Sequence, residues 1–137
     1  MSEYPYETPI EVRFRDVDAM GHVNNAVFVT YCEQARAFFF RDVFGVRRVE
    51  DIDFIVARME VDYLRPIRLE DEVRVRLRVS RVGVSSFDVQ YEVTAGGEPA
   101  ARARSVQVFF DYATRRKKAV PEAFRQGVGP FVAAGGP

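Results

Sequence analysis

The chain has 137 residues, 47% of them hydrophobic and 29% charged, with 20 basic and 20 acidic side chains. That length and composition predict a single domain with its core over about 10–112 and a C-terminal tail over 113–137, and exclude a largely disordered chain. Zero net charge argues against a general nucleic-acid or anionic-membrane binder, which carries a basic excess.

Met1–Pro9 is acidic and rich in Tyr and Pro, without the basic and then apolar order of a signal peptide. Ile10, Val12 and Phe14 alternate with charged residues and predict a first short strand over Ile10–Arg15. A polar loop, Arg15–Asn25, leads into one long helix over Asn25–Phe44. Asn24 or Asn25 suits its N-cap and Gly45 its C-terminal stop. Its apolar residues run nearly all the way round, so the helix is expected to be buried. No run approaches the roughly 18 apolar residues of a membrane span.

Beyond the helix the period changes to two. One strand is predicted from Phe54 to Leu64, ended by Pro66. A second covers Asp71–Val79, with Val73, Val75, Leu77 and Val79 separated by Arg74, Arg76 and Arg78. Arg81–Ser86 reads as a hairpin turn into Phe87–Val93. The last strand follows Gly96-Gly97 and runs from Ala100 to Phe110, with a shift of apolar parity between Ala103 and Val106 that predicts a bulge or twist. Glu122–Gln126 is expected to form a helical turn, and Gly127 to the end a frayed tail. Five antiparallel strands and one buried helix share a core only if the sheet curls around the helix, an α+β architecture.

A lone cysteine, Cys32, makes an intrachain disulfide impossible, and one His with one Cys makes a His/Cys zinc cluster within the chain impossible. A cytoplasmic location is the simple reading. Cys32 lies among apolar helix residues and reads as an inert buried thiol. Arginine supplies 18 of the 20 basic residues. Guanidinium forks suit phosphate, but codon usage is the simpler account.

Chemistry concentrates in the loop Arg15-Asp-Val-Asp18-Ala-Met-Gly21-His22-Val-Asn-Asn25. Two carboxylates, a glycine, the sole histidine and two asparagines precede a helix N-terminus, whose free N–H groups suit an oxyanion. A carboxylate there can act as nucleophile or as base for water. The start of a calcium loop is excluded, because Met20 and Val27 stand where oxygen ligands are needed. Taken singly, His22 reads as a structural hydrogen-bonded residue and Asn24 and Asn25 as caps.

Phe14-Arg-Asp-Val-Asp-Ala-Met-Gly-His-Val-Asn-Asn-Ala26, Tyr31-Cys-Glu-Gln-Ala-Arg36 and Asp62-Tyr-Leu-Arg-Pro66 together resemble the 4-hydroxybenzoyl-CoA thioesterase-like family of hotdog-fold acyl-CoA thioesterases. The resemblance spans roughly Ile10 to Phe110. It implies a five-stranded antiparallel sheet wrapped around one long central helix, and hydrolysis of an acyl-CoA to a free acid and CoA. No cofactor, metal, nucleic-acid or membrane partner is expected, and the resemblance implies a homodimer or homotetramer with the site at the subunit interface.

By the same resemblance Asp18 falls on the catalytic carboxylate, as nucleophile or general base. Backbone N–H groups near Asn25 would hold the oxyanion, Gly21 would allow close approach, and His22 completes the loop. Glu33 would touch the acyl group or orient water, or else pair with Arg36 at i+3. Asp16 reads as a loop-fixing residue. Arg58, Arg65, Arg81 and Ser85 are candidates for CoA phosphate or pantetheine contacts, and each alone also reads as a surface residue. Met20–Asn25 looks closer to members acting on long-chain or unassigned fatty acyl-CoAs than to the aromatic-acyl branch. Two other readings stand beside this one. A non-catalytic acyl-CoA-binding module is disfavoured by the intact Asp18. A hotdog hydratase or dehydratase is disfavoured by the Ala-Met-Gly between Asp18 and His22.

Overall fold

A computed structural model describes residues 3–132. In chain order it contains β1 (Tyr6–Ile10), a 3₁₀ turn (Phe14–Asp16), α1 (Asn25–Phe44), β2 (Phe54–Tyr63), β3 (Val73–Val82), β4 (Ser86–Ala95), β5 (Glu98–Asp111), the two-residue β6 (Arg116–Lys117) and α2 (Glu122–Val128). The long strands form one antiparallel sheet in the order β1-β3-β4-β5-β2, with β6 pairing β5. Five long strands are therefore present as expected in number, curled around α1, and β6 is an addition. Among the described residues no helix is long and apolar enough to cross a membrane.

The caps of α1 obey local chemistry. The Asn24 side chain accepts the Ala26 N–H at 2.9 Å. Gly45 closes the helix in the left-handed region (φ 68°), donating its N–H to the Arg41 carbonyl. The helix is not buried all round, however. Phe28, Tyr31, Cys32, Ala35, Arg36, Phe39 and Phe40 face the sheet, while Thr30, Glu33, Gln34 and Ala37 are exposed. A single sheet wraps only one side of a helix, so part of its apolar surface stays open.

The buried stripe meets Val73, Val75, Leu77 and Val79 of β3 and Phe87, Val89, Tyr91 and Val93 of β4. At one end an aromatic cluster forms, in which Phe87 lies 4.5 Å from Phe124 and 5.4 Å from Phe109 between ring centroids. Phe124 belongs to α2, so the C-terminal segment plugs this end. The expectation of a frayed tail from Gly127 needs correction. Val128 is buried, Gly129–Phe131 forms a 3₁₀ turn, and Val132 bridges to Val79. Residues 133–137 lie outside the described residues.

Three further expectations change. The first strand is Tyr6–Ile10 rather than Ile10–Arg15. Tyr6–Ile10 pairs with β3, and the chain then leaves the sheet edge because the Asp16 carboxylate accepts the Arg13 N–H at 2.9 Å and closes a 3₁₀ turn. The shift predicted within β5 is not a bulge at Ala103–Val106. Ala101, Ala103, Ser105, Gln107 and Phe109 keep one inward parity. Ser105 and Gln107 are buried polar residues: Ser105 hydrogen-bonds Tyr91 Oη and Gln107, and Gln107 donates to the Phe87 carbonyl at 3.1 Å. A satisfied buried polar pair breaks the apolar pattern without breaking the strand. Register shifts fall elsewhere: on β2 between Val56 and Arg58, opposite Val106–Gln107, on β3 between Val79 and Arg81, and on β5 at Ala100, where β4 steps from Val93 to Thr94. The β2 faces are accordingly mixed, with Ile55 and Tyr63 exposed and Met59 and Val61 half-buried.

The outer face explains much of the arginine. Glu92 joins Arg76 and Arg102, and Asp88 joins Arg81 and Arg104, across neighbouring strands. Such opposite-charge ladders stabilise antiparallel pairs and keep the outer face wet.

Candidate active site

The loop before α1 folds back on itself. The Asn24 N–H donates to the Asp16 carbonyl (2.9 Å), the Asp18 N–H to the His22 carbonyl (2.9 Å) and the Gly21 N–H to the Asp18 carbonyl (3.0 Å). Gly21 sits at φ 80°, a conformation that strains any residue with a side chain, so backbone shape alone accounts for glycine here. The Val23 N–H donates to the Ile67 carbonyl at 2.7 Å and ties the loop to the segment after β2.

Asp16 is the anchor. Its Oδ2 accepts the Arg13 N–H and, at 2.8 Å, the buried Tyr31 hydroxyl. Burial and then this hydrogen bond push the Tyr31 phenol above its ordinary range, so it stays a donor. Tyr31→Phe is expected to cost about 1.5–3 kcal/mol, the value of a hydrogen bond to a buried charged group. Urea denaturation of the two proteins checks this, and a loss near zero would mean that Asp16 does not depend on Tyr31.

Asp18 is different: its side chain is exposed. Its Oδ1 accepts the Met20 N–H at 2.9 Å, and its other oxygen has no hydrogen-bond partner among the described residues. The carboxylate is thus oriented but not neutralised. It borders a groove of about 290 Å³ that also takes in His22, Asn25, Phe28, Tyr63, Leu64 and Arg65. The helix start supplies the electropositive wall. The Ala26 N–H is taken by the Asn24 side chain and the Val27 N–H by the Asn24 carbonyl. That leaves the Asn25 N–H with no acceptor among the described residues. The Tyr63 hydroxyl donates to the Asn25 carbonyl at 2.7 Å, and its ring packs edge-on against Phe28 at 5.1 Å.

Of the residues singled out from the sequence, the groove gathers Asp18, His22, Asn25 and Arg65, with Gly21 in the loop that shapes it. Four lie elsewhere. Glu33 is about two turns into α1, its Oε2 4.0 Å from Arg36 Nη2. Arg58 pairs with Glu60 at 2.7 Å on the edge strand. Arg81 is held by Asp88 and Ser86 on the sheet's outer face. Ser85 accepts the Phe109 N–H through its carbonyl at the far end of the sheet. Tyr63 escaped individual notice, although it lies inside the Asp62–Pro66 motif. Cys32 is fully buried, and that burial pushes its thiol up to about 12. No group of three or more His, Cys, Asp or Glu is placed to hold a metal ion among the described residues.

An exposed carboxylate and a free helix N–H that line one groove with aromatic rings have the chemistry to act on a carbonyl carbon. Similarity to known proteins points the same way. The model of the thioesterase-like superfamily matches residues 12–128. The 1,4-dihydroxy-2-naphthoyl-CoA hydrolase of Nostoc punctiforme is 30% identical, over 84% of this chain and 80% of its own. A Bacillus subtilis protein called YsmA is 29% identical over 66% of this chain, and the aligned part spans 61% of its length. A crystal structure of a thioesterase complexed with coenzyme A and Zn from Thermus thermophilus is 45% identical, covers 93% of this chain and 94% of that one, and superposes with a TM-score of 0.84.

Proposed function

The chain belongs to the thioesterase-like superfamily, and from that membership we propose that it hydrolyses an acyl-CoA thioester to the free acid and CoA. The curled sheet around one helix is a hotdog fold. The observation that carries the reading is the Asp18 carboxylate beside the unpaired Asn25 N–H in one groove. With the thioester carbonyl oxygen on the Asn25 N–H, negative charge develops at the positive end of α1. Asp18 then attacks the carbonyl carbon, or takes a proton from the water that does. The C–S bond breaks and CoA leaves as a thiolate that takes up a proton. In the first route water cleaves the resulting anhydride and restores Asp18. Labelled water in a single turnover separates the routes, since only the anhydride path leaves label in the Asp18 carboxylate.

Arg65, on the groove wall, is the residue of the four CoA candidates best sited to meet the CoA side of the substrate. The other three stand apart from the groove. We place the enzyme in the cytoplasm, where CoA esters are made and used.

The measurement that tests the reading is free-thiol release from aromatic and short-to-long aliphatic acyl-CoAs, with an acyl-carrier-protein thioester alongside. Turnover of at least one supports hydrolysis. Tight binding of CoA esters with no turnover of any would favour the non-catalytic binding module.

We also propose a dimer formed through β2. This ten-residue strand ends the sheet order, and its outer edge has no partner strand among the described residues. Ile55 and Val56 at one end and Tyr63 and Leu64 at the other are exposed apolar residues. Antiparallel pairing of two such edges across a two-fold would set one copy's Tyr63 end beside the other's Phe54 end and extend the sheet. Ile55→Glu is expected to turn the dimer into a monomer in sedimentation, with activity lost in parallel. A native chain that sediments as a monomer at micromolar concentration would overturn this assembly.

A further inference from the structure

A second cavity lies away from the Asp18 groove. It holds about 460 Å³ between the later half of α1, the connector after it and the start of β2. Phe38, Phe40, Ile52, Phe54 and Val56 make its walls apolar. Arg36 and Glu33 also line it.

Arg36 is out of place by ordinary rules. It is only 8% exposed, yet its one carboxylate partner among the described residues is Glu33, in an i,i+3 ion pair at 4.0 Å. Its Nη1 donates to Tyr91 Oη at 2.9 Å and weakly to Gln107 Oε1 at 3.5 Å, both neutral acceptors. Glu33 stands 4.0 Å from Nη2, beyond hydrogen-bond reach, and its side chain is 54% exposed. A guanidinium offers five donors, and most of these have no hydrogen-bond acceptor among the described residues. Its charge rests partly on the Phe54 ring, 5.9 Å away. At the rim Arg41 and Arg48 are already held by Asp42 and Glu50. Arg47 adds a further positive charge there. A largely buried cation whose ion pair is as long as 4.0 Å keeps donors open to the cavity, and a ligand that brings its own carboxylate can take them in a forked, charge-assisted contact.

We propose that this cavity receives the acyl end of the substrate and that Arg36 selects acyl groups ending in a carboxylate. The inference rests on the thioesterase reading and on pairing of β2 edges. Within one copy the groove and the cavity lie at opposite halves of α1. In the edge-paired dimer the Tyr63 end of one β2, which borders the groove, adjoins the Phe54 end of the other, which borders the cavity. The thioester then sits at Asp18 of one copy while the chain end reaches Arg36 of the other.

The test compares two acyl-CoAs of equal chain length, one ending in a carboxylate and one in a methyl group. kcat/KM is measured for the native protein, Arg36→Met, Arg36→Lys and Glu33→Gln. Dissociation constants are measured in parallel for the corresponding non-hydrolysable CoA thioethers. The native protein is expected to prefer the carboxylate-ended substrate by about tenfold or more, the worth of one charge-assisted hydrogen bond. Arg36→Met should erase that preference, bringing the kcat/KM values of the two substrates to within about twofold of each other. Arg36→Lys should keep part of it, and Glu33→Gln, which removes a competing carboxylate, should raise it. Those two variants decide the matter if Arg36→Met does not fold. An equal loss on both substrates in Arg36→Met would overturn the proposal, because Arg36 would then only brace Tyr91 and Gln107 or meet CoA itself. A native preference for the methyl end would overturn it too. If neither thioester is hydrolysed but thioether binding still discriminates through Arg36, the hydrolase reading fails and the cavity assignment stands.

Discussion

Asp18→Asn should lower kcat for the best acyl-CoA substrate by about 10²–10⁴-fold, the usual worth of a positioned acid–base or nucleophilic carboxylate. On the barrier that is about 3–5 kcal/mol. The substitution isolates the charge. An asparagine amide oxygen can still accept the Met20 N–H that holds Asp18 Oδ1, so the loop keeps its shape. Asp18 is exposed and lies outside the core, so urea stability should change by less than about 0.5 kcal/mol. Affinity for a non-hydrolysable thioether should also hold. Retention of a tenth or more of native kcat would remove Asp18 from the chemistry and turn attention to His22, which lines the same groove.

Phe87→Ala should be the most damaging single core truncation, at about 3–5 kcal/mol. Phe87 is fully buried and its ring meets Phe124 at 4.5 Å, Phe109 at 5.4 Å, Phe54 at 5.5 Å and Phe40 at 6.0 Å. These four rings come from α2, β5, β2 and α1, so no single element can move in to fill the hole. Against a total stability of about 5–15 kcal/mol, such a loss leaves the chain near its unfolding threshold. A shift in the urea midpoint, with the slope unchanged, is the measurement. A loss below about 1 kcal/mol would mean that α2 and its Phe124 collapse readily onto the vacancy, and that the C-terminal plug is looser than its packing implies.

Local rules were enough for several features. Asn24 and Gly45 bound the helix because a cap needs a side-chain acceptor and a stop needs positive φ, and both residues are specialists. Val73–Val79 alternate with arginines, which gives one buried and one wet face whatever the partner strand. The Asp18 loop was legible through its composition and its resemblance to a known motif. The misreadings share one cause. Ser105 and Gln107 looked like a change of strand face, yet they are inward residues whose partners, Tyr91 and the Phe87 carbonyl, lie 14–20 positions away. The helix looked buried on every side because periodicity counts apolar residues without knowing how many sheets will cover them. The i,i+3 pairing of Glu33 with Arg36 is present, at 4.0 Å, but only the folded chain buries the guanidinium and gives it Tyr91 of β4 and Gln107 of β5 as acceptors.

The sequence by itself determined where the helix begins and ends, which strands alternate, and which loop carries the carboxylate. Those depend on neighbours within about four residues, where capping, turn and pleat geometry act. Tertiary structure decided which face of α1 is covered, that β2 is left as an apolar edge, and that a buried arginine lines a cavity remote from Asp18. Those depend on the curl of the sheet and on contacts between β2, β4, β5 and α1, whose residues are far apart along the chain and meet only when the core forms.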